Sequence, residues 1–140
     1  MSAAWLVGND VVDLRVPENA SVGHRPRFLA RVCDEDEQAR VRAAADPVAA
    51  LWALFAAKEA AYKVVSKLRP GAILAHRRFR VAAAQAFEDI EAIDADGVRL
   101  ALWLDVDVAA GRVHAVASTR APRPLVTIEQ LAPALAEVAD

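Results

Sequence analysis

The sequence predicts a single α+β domain in which an antiparallel sheet packs on one long helix. The chain has 140 residues, a length that suits one hydrophobic core. A helical pattern with clear start and stop signals extends from about Pro47 to Leu68. Runs of alternating apolar and polar residues, separated by turn signals, occupy much of the C-terminal half.

Composition narrows the classes of protein that the chain can represent. The formal net charge is -2 and the pI is about 5.9, which does not indicate a nucleic-acid or membrane partner. Cys33 is the only cysteine, so no disulfide forms within the chain, and a reducing compartment is favoured. The start lacks a signal peptide and no apolar run reaches about 18 residues. We expect an unprocessed, soluble, cytoplasmic protein of one domain, residues 1–140.

The N-terminal third contains one predicted strand and two predicted helices. AWLVGNDVVDL is short, rich in valine and leucine and bounded by Pro17, which predicts a strand in the sheet interior followed by a loop. HRPRFLARV favours a short basic helix after Pro26. Asp34 then caps a helix over DEDEQARVRAAA, whose acidic residues suit a first turn.

The longest element is the predicted helix that starts at Asp46 with Pro47 and stops at Arg69–Gly71. Its apolar stripe comprises Leu51, Leu54, Phe55, Tyr62 and Val65. Lys58 falls in the middle of that stripe, where an ammonium must reach solvent, find a partner or have its pKa lowered. Glu59 and Lys63 are four residues apart and share a flank, so both can contact one ligand.

The remaining chain predicts strands joined by tight turns. RRFRVAAA and FEDIEAID are followed by a hairpin turn at Asp96–Gly97 and by VRLALWLDVD, and Ala110–Gly111 then turns the chain into RVHAVAST. Thr127 and Gln130 resemble a capping box for a final helix, which Pro133 shortens or kinks. An antiparallel sheet follows from these hairpins.

Few residues carry recognisable chemistry. The nucleotide-binding, hydrolase and zinc signatures are absent, and the three histidines lie far apart in the sequence. What remains is Asp10 in an apolar strand, behind Gly8, and the helical segment KEAAYK. Magnesium takes one or two protein carboxylates and lysines neutralise phosphate, which indicates a phosphate-handling site. By spacing alone such a helix is more often a solvated salt-bridge ladder. Gly8 predicts a place where a ligand approaches the backbone.

Two motifs in combination resemble a known family. VGNDVVDL, followed 49 positions after Asp10 by Glu59 in LWALFAAKEAAYKVVSK, resembles the GxD strand and (F/W)xxKExxxK helix of the 4′-phosphopantetheinyl transferase superfamily. FLARVCDEDE is similar to the FLxRVFTxEE stretch of its small branch, the holo-acyl-carrier-protein synthases. The resemblance covers about residues 6–82 and implies the single-module α+β fold of that family.

This resemblance implies magnesium-dependent transfer of the 4′-phosphopantetheine arm of coenzyme A to a serine of an acyl or peptidyl carrier protein. Adenosine 3′,5′-bisphosphate is the released product. Asp10 and Glu59 would bind the metal, Lys63 and Lys58 would meet the phosphates of coenzyme A, and Glu59 is a candidate to take the serine proton through a water. An alternative is a silent homologue that binds coenzyme A or a carrier protein. Another is an unrelated magnesium-dependent phosphate enzyme.

The family's C-terminal SxSH stretch is missing, because the last hairpin reads RVHAVAS with His114 at a different place. His76 and Arg77 are candidates to compensate in binding coenzyme A, although an exposed basic turn is the ordinary alternative. Asp13, three residues after Asp10 in a strand, is expected to point away from the site and either to end the strand or to pair with Arg15.

The partner implied by the resemblance is an acidic carrier protein, which requires a basic docking surface. Four arginines cluster in sequence where small members meet the carrier, and the alternative is an ordinary solvated helix: Arg15, Arg25, Arg27 and Arg31. A single module implies a homotrimer with coenzyme A at a subunit interface, and a homodimer is the alternative.

Overall fold

The computed structural model describes residues 6–81, 91–93 and 99–119. The helices in these ranges are α1 (Pro17–Gly23), α2 (Pro26–Val32), α3 (Glu35–Ala43) and α4 (Pro47–Leu68), with a short 3-10 helix at His76–Arg78. The strands are β1 (Val7–Asp13), β2 (Arg80–Val81), β3 (Glu91–Ile93), β4 (Arg99–Asp107) and β5 (Arg112–Ser118). The predicted α+β class is confirmed.

The strands form one antiparallel sheet in the order β1-β5-β4-β3-β2. β1 pairs with β5 over its whole length, which places Asp10 opposite Ala115. Among the described strands β1 has only this one neighbour, so the prediction that it lies in the sheet interior is wrong. Its apolar character comes instead from the packing of one face on α4.

Helix α4 and strand β1 also bond along the outer edge of the sheet. The side chains of Lys67 and Lys63 donate to the carbonyl oxygens of Val7 and Asn9, at 2.7 and 2.6 Å. Leu6, the residue before Val7, bonds instead with Thr119, which follows β5: its N–H donates to the Thr119 hydroxyl and its carbonyl accepts from the Thr119 N–H. Because backbone carbonyls alternate in direction along a strand, those of Val7 and Asn9 point away from β5. Lysines therefore cover part of a strand edge that pairs with no other strand among the described residues.

Helix α4 occupies the range that the sequence predicts because its end signals are local. The Asp46 side chain accepts a hydrogen bond from the backbone N–H of Ala49 at 3.0 Å, and Pro47 takes the first helical position. Burial extends well beyond the predicted stripe and includes many small residues, namely Ala49, Ala53, Ala56, Ala57, Ala60 and Ala61. These alanines let the sheet approach closely.

Gly8 is the point of closest approach between β1 and α4. A Cβ atom there would lie 2.5 Å from the carbonyl oxygen of Ala60 and 2.9 Å from Cβ of Lys63. The missing side chain therefore admits the backbone of α4, and not a ligand as the sequence led us to expect. This contact sets the distance between Asp10, two residues along β1, and the helix.

The core lies between α4 and the facing side of the sheet. Its sheet residues alternate along each strand and include Val12, Leu100, Leu102, Val113, Ala115 and Ala117. The segment after Pro17, predicted as a loop, forms α1, because a proline at the first helical position and Glu18 in the first turn suit a helix start. The predicted turn at Asp96–Gly97 and the predicted final helix lie outside the described residues.

Helix α3 begins as predicted, after Asp34, whereas α2 begins at Pro26 itself, one residue earlier than predicted. Asp34 and Glu37 form a reciprocal capping box, with bonds of 2.9 Å in both directions. No helix in the described part of the chain is long and apolar enough to cross a membrane.

Candidate functional site

Asp10 is held on the face of β1 that packs against α4. Residues 8, 10 and 12 share that face, and Gly8 and Val12 are buried while the side chain of Asp10 keeps 20% of its surface exposed. The Lys63 ammonium lies 3.4 Å from Asp10 Oδ1. Asp10 is therefore positioned by its packed neighbours in β1 and opens to solvent at the rim of the strand-helix contact.

Glu59 lies on the same side of α4, one helical turn before Lys63. Its Oε1 is 3.0 Å from Nε2 of His76 in the short 3-10 helix, and both side chains are mostly buried. The imidazole ring stacks on Phe55, with ring centroids 4.7 Å apart and planes inclined by 19°. The structure thus gathers Asp10, Glu59, Lys63 and His76 around one region where β1, α4 and the 3-10 helix meet.

The charges of these residues act on one another. Burial raises the pKa of Asp10 above its ordinary value, and the nearby Lys63 ammonium opposes that rise. The Glu59 carboxylate adds to the rise, while His76 acts against it. A carboxylate whose pKa is raised by burial and by a second carboxylate marks a favourable place for a cation.

The donor set fits magnesium. Two carboxylates from different elements supply hard oxygen ligands, and magnesium usually completes its shell with waters and substrate phosphates. The described residues hold no group of three or more His, Cys, Asp or Glu arranged to bind a metal.

Lys58 is not part of this cluster. Its side chain has no exposed surface, and its ammonium donates to Glu37 Oε1 and to the carbonyl of Val32, both at 2.6 Å. A lysine in an apolar stripe must reach solvent, find a partner or have its pKa lowered, and the structure shows that Lys58 has a buried partner. This placement separates Lys58 from solvent, so it gives no support to the predicted contact with phosphates.

Glu37 is the residue that sequence reasoning missed. Besides the Lys58 ammonium, its carboxylate accepts hydrogen bonds from the backbone N–H groups of Asp34 and Val81, at 2.9 and 3.0 Å. It thereby joins α3, α4 and β2 at one buried point. The signal that could have found it is Lys58 itself, because a lysine in a buried stripe requires an anion.

The predicted docking arginines divide into two places. Arg25, Arg27 and Arg31 are exposed on or just before α2. Arg15 lies at the end of β1, where it pairs with Asp13 at 3.3 Å and packs beside Gly111. The expected pairing of Asp13 with Arg15, on the face away from Asp10, is confirmed.

Arg77 bonds to α2, not to the carboxylates of the site. Its guanidinium donates to the carbonyl of Ala30 at 2.8 Å, while the side chain remains exposed. It therefore extends the basic surface of α2. His76, its neighbour, is the member of the predicted coenzyme A pair that reaches the carboxylates.

His114 does not join the site. Its side chain lies on the sheet face opposite α4, against the edge of Trp103, with ring centroids 5.9 Å apart. Burial lowers its pKa, and within the described part of the chain its Nε2 has no hydrogen-bond partner. Within one chain, the histidine of the last hairpin therefore does not reach the Asp10 site.

The fold and site define a class: a small α+β protein with two carboxylates and a lysine converging where an edge strand crosses a long helix, as suits phosphate chemistry. The family model described as the 4′-phosphopantetheinyl transferase superfamily matches residues 6–108. The chain belongs to this superfamily. No curated protein sequence matches it.

Solved structures share the fold at low sequence identity. Apo-ACPS from Chronobacterium ammoniagenes superposes with a TM-score of 0.65 at 20% identity, covering 82% of this chain and 95% of that one. The holo-[acyl-carrier-protein] synthase of Neisseria meningitidis gives a TM-score of 0.60 at 21% identity, covering 80% and 94%. The ACPS-CoA complex from Chronobacterium ammoniagenes gives 0.59 at 19%, covering 83% and 96%. Membership of the superfamily, predicted from the sequence, is confirmed by the family model, and the fold is shared with these small synthases.

Proposed function

We propose that this protein transfers the 4′-phosphopantetheine arm of coenzyme A to a serine of an acyl or peptidyl carrier protein, with magnesium. Adenosine 3′,5′-bisphosphate is the second product. The observation that carries the proposal is the convergence of Asp10, Glu59 and Lys63 in a chain that belongs to the phosphopantetheinyl transferase superfamily. A relative with the same fold is described as a complex with coenzyme A.

The residues divide the work as follows. Asp10 and Glu59 would hold magnesium, which would withdraw charge from the phosphate oxygens of the substrate. Lys63 already directs its ammonium to Asp10, and its side chain is 45% exposed, so it can also meet the pyrophosphate. Positioning and charge neutralisation account for most of the catalysis in phosphoryl transfer.

The serine of the carrier must lose a proton as its oxygen attacks the β-phosphorus and the bond to the bridging oxygen breaks. Glu59 is the proposed acceptor, through a water, because it lies in the site with one oxygen turned to His76. The leaving adenosine 3′,5′-bisphosphate takes the electron pair of the broken bond. Lys63 then neutralises charge on the departing phosphate.

Intact-mass spectrometry of an apo carrier protein tests the activity directly. Incubation with the protein, coenzyme A and MgCl2 should shift the carrier by the mass of one phosphopantetheine, and EDTA should prevent the shift. A carrier whose serine is replaced by alanine is the matched control and should keep its mass. An unchanged apo carrier, tested with both acyl and peptidyl types, would contradict the proposal.

A second function is favoured by one observation, the buried His114 that does not reach the site. A silent homologue would bind coenzyme A or a carrier protein without transferring the arm. Calorimetric titration with coenzyme A beside the mass assay separates the two functions. Binding without a mass shift would establish the silent homologue.

The carrier is proposed to dock on α2, where Arg25, Arg27 and Arg31 are exposed and Arg77 adds a fourth charge. Attraction to an acidic partner is screened over a Debye length of about 8 Å at physiological salt. Arg31→Glu should therefore raise the KM for the carrier most at low salt. Arg42→Glu, an exposed arginine on α3, is the matched control, and equal effects of both changes would remove α2 as the docking surface.

The assembly is proposed to be a homotrimer, with a homodimer as the alternative. Val7 and Val11 expose 40% and 55% of their surface on the side of β1 turned away from α4, which suits a contact between copies. Light scattering on a size-exclusion column measures the mass of the assembly. The cytoplasmic location also stays a prediction, consistent with the unpaired Cys33.

A further inference from the structure

His76 is held rigidly beside Glu59. Its ring stacks on Phe55, which lies four residues before Glu59 and so on the same face of α4. The backbone of the 3-10 helix is closed by a bond from the N–H of Phe79 to the carbonyl of His76 at 3.1 Å. The Arg77 bond to Ala30 ties the same turn to α2.

The next residues of this segment are fixed as well. The N–H of Val81 donates to Glu37 at 3.0 Å, and its carbonyl accepts from Arg40 at 2.5 Å. The segment from His76 to Val81 is thus anchored at both ends. The His76 imidazole on this segment has little freedom to move, so it can hold the Glu59 carboxylate in one orientation.

We propose that His76 is a positioning residue that orients the Glu59 carboxylate for magnesium. A carboxylate that binds a metal only accepts hydrogen bonds, so in this role His76 donates from Nε2. The bond at 3.0 Å fixes Oε1 of Glu59 and leaves Oε2 available as a metal ligand. Hydrogen-bonded partners of metal ligands commonly change metal affinity 10- to 100-fold when they are removed.

This role differs from the contact with coenzyme A that the sequence suggested for His76. A histidine that bound phosphate would affect the KM for coenzyme A. A histidine that orients Glu59 affects the metal instead, because its Nε2 is already engaged by the carboxylate. The inference rests on the proposed function, since it takes Glu59 as a metal ligand.

Binding of Mn²⁺, a substitute with the same preference for oxygen ligands, separates these roles without measuring turnover. Loss of the free-ion paramagnetic resonance signal reports binding to the whole protein with saturating coenzyme A. His76→Phe keeps an aromatic ring over Phe55 but removes the donor, and should weaken Mn²⁺ binding about 10- to 100-fold. His76→Gln restores a donor and should recover most of that loss. The KM for coenzyme A should stay within about twofold in both.

Two controls make the outcomes distinguishable. His24→Gln changes an exposed histidine and should leave Mn²⁺ affinity unchanged. Asp10→Ala should abolish tight binding, and if it does not, the metal site of the proposed function is wrong. If Asp10→Ala abolishes binding while His76→Phe binds as wild type, only the positioning role is overturned. If His76→Phe does not fold, the Mn²⁺ affinity of His76→Gln decides. A His76→Gln variant that binds Mn²⁺ as weakly as Asp10→Ala would contradict a role for the hydrogen-bond donor.

Discussion

Replacing Lys58 with methionine is expected to destabilise the protein strongly, although Lys58 lies outside the proposed phosphate site. Its ammonium and the Glu37 carboxylate are 2.6 Å apart, with exposed fractions of 0% and 1%. Methionine has a similar length and fills the same space, so little packing is lost. What changes is charge and hydrogen bonding, because the buried Glu37 carboxylate loses its nearest cation, with the Arg40 guanidinium remaining 4.0 Å away, and the Val32 carbonyl loses a donor.

The size of the effect follows from the bonds that remain. Removing one partner of a buried ion pair typically costs about 3–5 kcal/mol. In Lys58→Met the carboxylate keeps the N–H groups of Asp34 and Val81, which favours the low end, about 3 kcal/mol. Glu37→Leu leaves both N–H groups and the ammonium without this acceptor, so its cost should be near the upper end.

Urea denaturation, followed by tryptophan fluorescence at one fixed protein concentration, measures the loss. With a slope of about 1.5–2 kcal/mol/M, a loss of about 3 kcal/mol moves the midpoint by roughly 1.5–2 M. The double variant Lys58→Met with Glu37→Gln should be more stable than Lys58→Met alone, since glutamine carries no charge. A midpoint for Lys58→Met within about 0.5 M of wild type would refute the reasoning.

Three further outcomes are expected. Gly8→Ala should lower the free energy of unfolding by about 1–3 kcal/mol, because its Cβ would lie 2.5 Å from the backbone oxygen of Ala60; thermal and urea unfolding check this. Lys63→Ala should raise the KM for coenzyme A more than the KM for the carrier, as steady-state kinetics with each substrate varied will show. Burial raises the pKa of the Cys33 thiol from 9.0 to about 11, so the unfolded chain ionises first. Relative to Cys33→Ala, wild-type stability should therefore be intact below about pH 9 and fall by about 1.4 kcal/mol per pH unit from there towards pH 11, as measured by urea midpoints.

The local parts of the fold follow from the sequence. The ends of α4 are set by Asp46, Pro47 and Arg69, all of which act within a few residues of the chain. The same holds for the Asp34 cap of α3 and for the turn at Ala110–Gly111. Signals of this kind depend on bonds between near neighbours, so they do not require knowledge of the tertiary structure.

The predictions from the sequence that are wrong or incomplete concern contacts between distant segments. The position of β1 at the edge depends on strand order, which the residues of β1 do not encode. Gly8 is required by the approach of α4, and nothing near Gly8 in the sequence names that helix. Lys58 has a partner 21 positions earlier, where Glu37 looks like an ordinary first-turn acid.

The candidate site shows the same division. Asp10, Glu59 and Lys63 were identified because two motifs occur together at a characteristic separation, and the structure brings them together. The contact between His76 and Glu59 was missed, because it depends on the path of the loop after α4. A pattern in sequence identifies residues, while their orientation depends on packing.

The rate of arm transfer by Asp10→Ala compared with Asp13→Ala tests the central claim most directly. Both changes remove a carboxylate from β1, but Asp10 faces α4 and the Lys63 ammonium while Asp13 is exposed and pairs with Arg15. Intact-mass spectrometry of the carrier at saturating MgCl2 and coenzyme A gives both rates. We expect Asp10→Ala to abolish transfer while keeping a cooperative unfolding transition, and Asp13→Ala to retain a rate within about twofold of wild type. Near-normal transfer by Asp10→Ala would contradict the account.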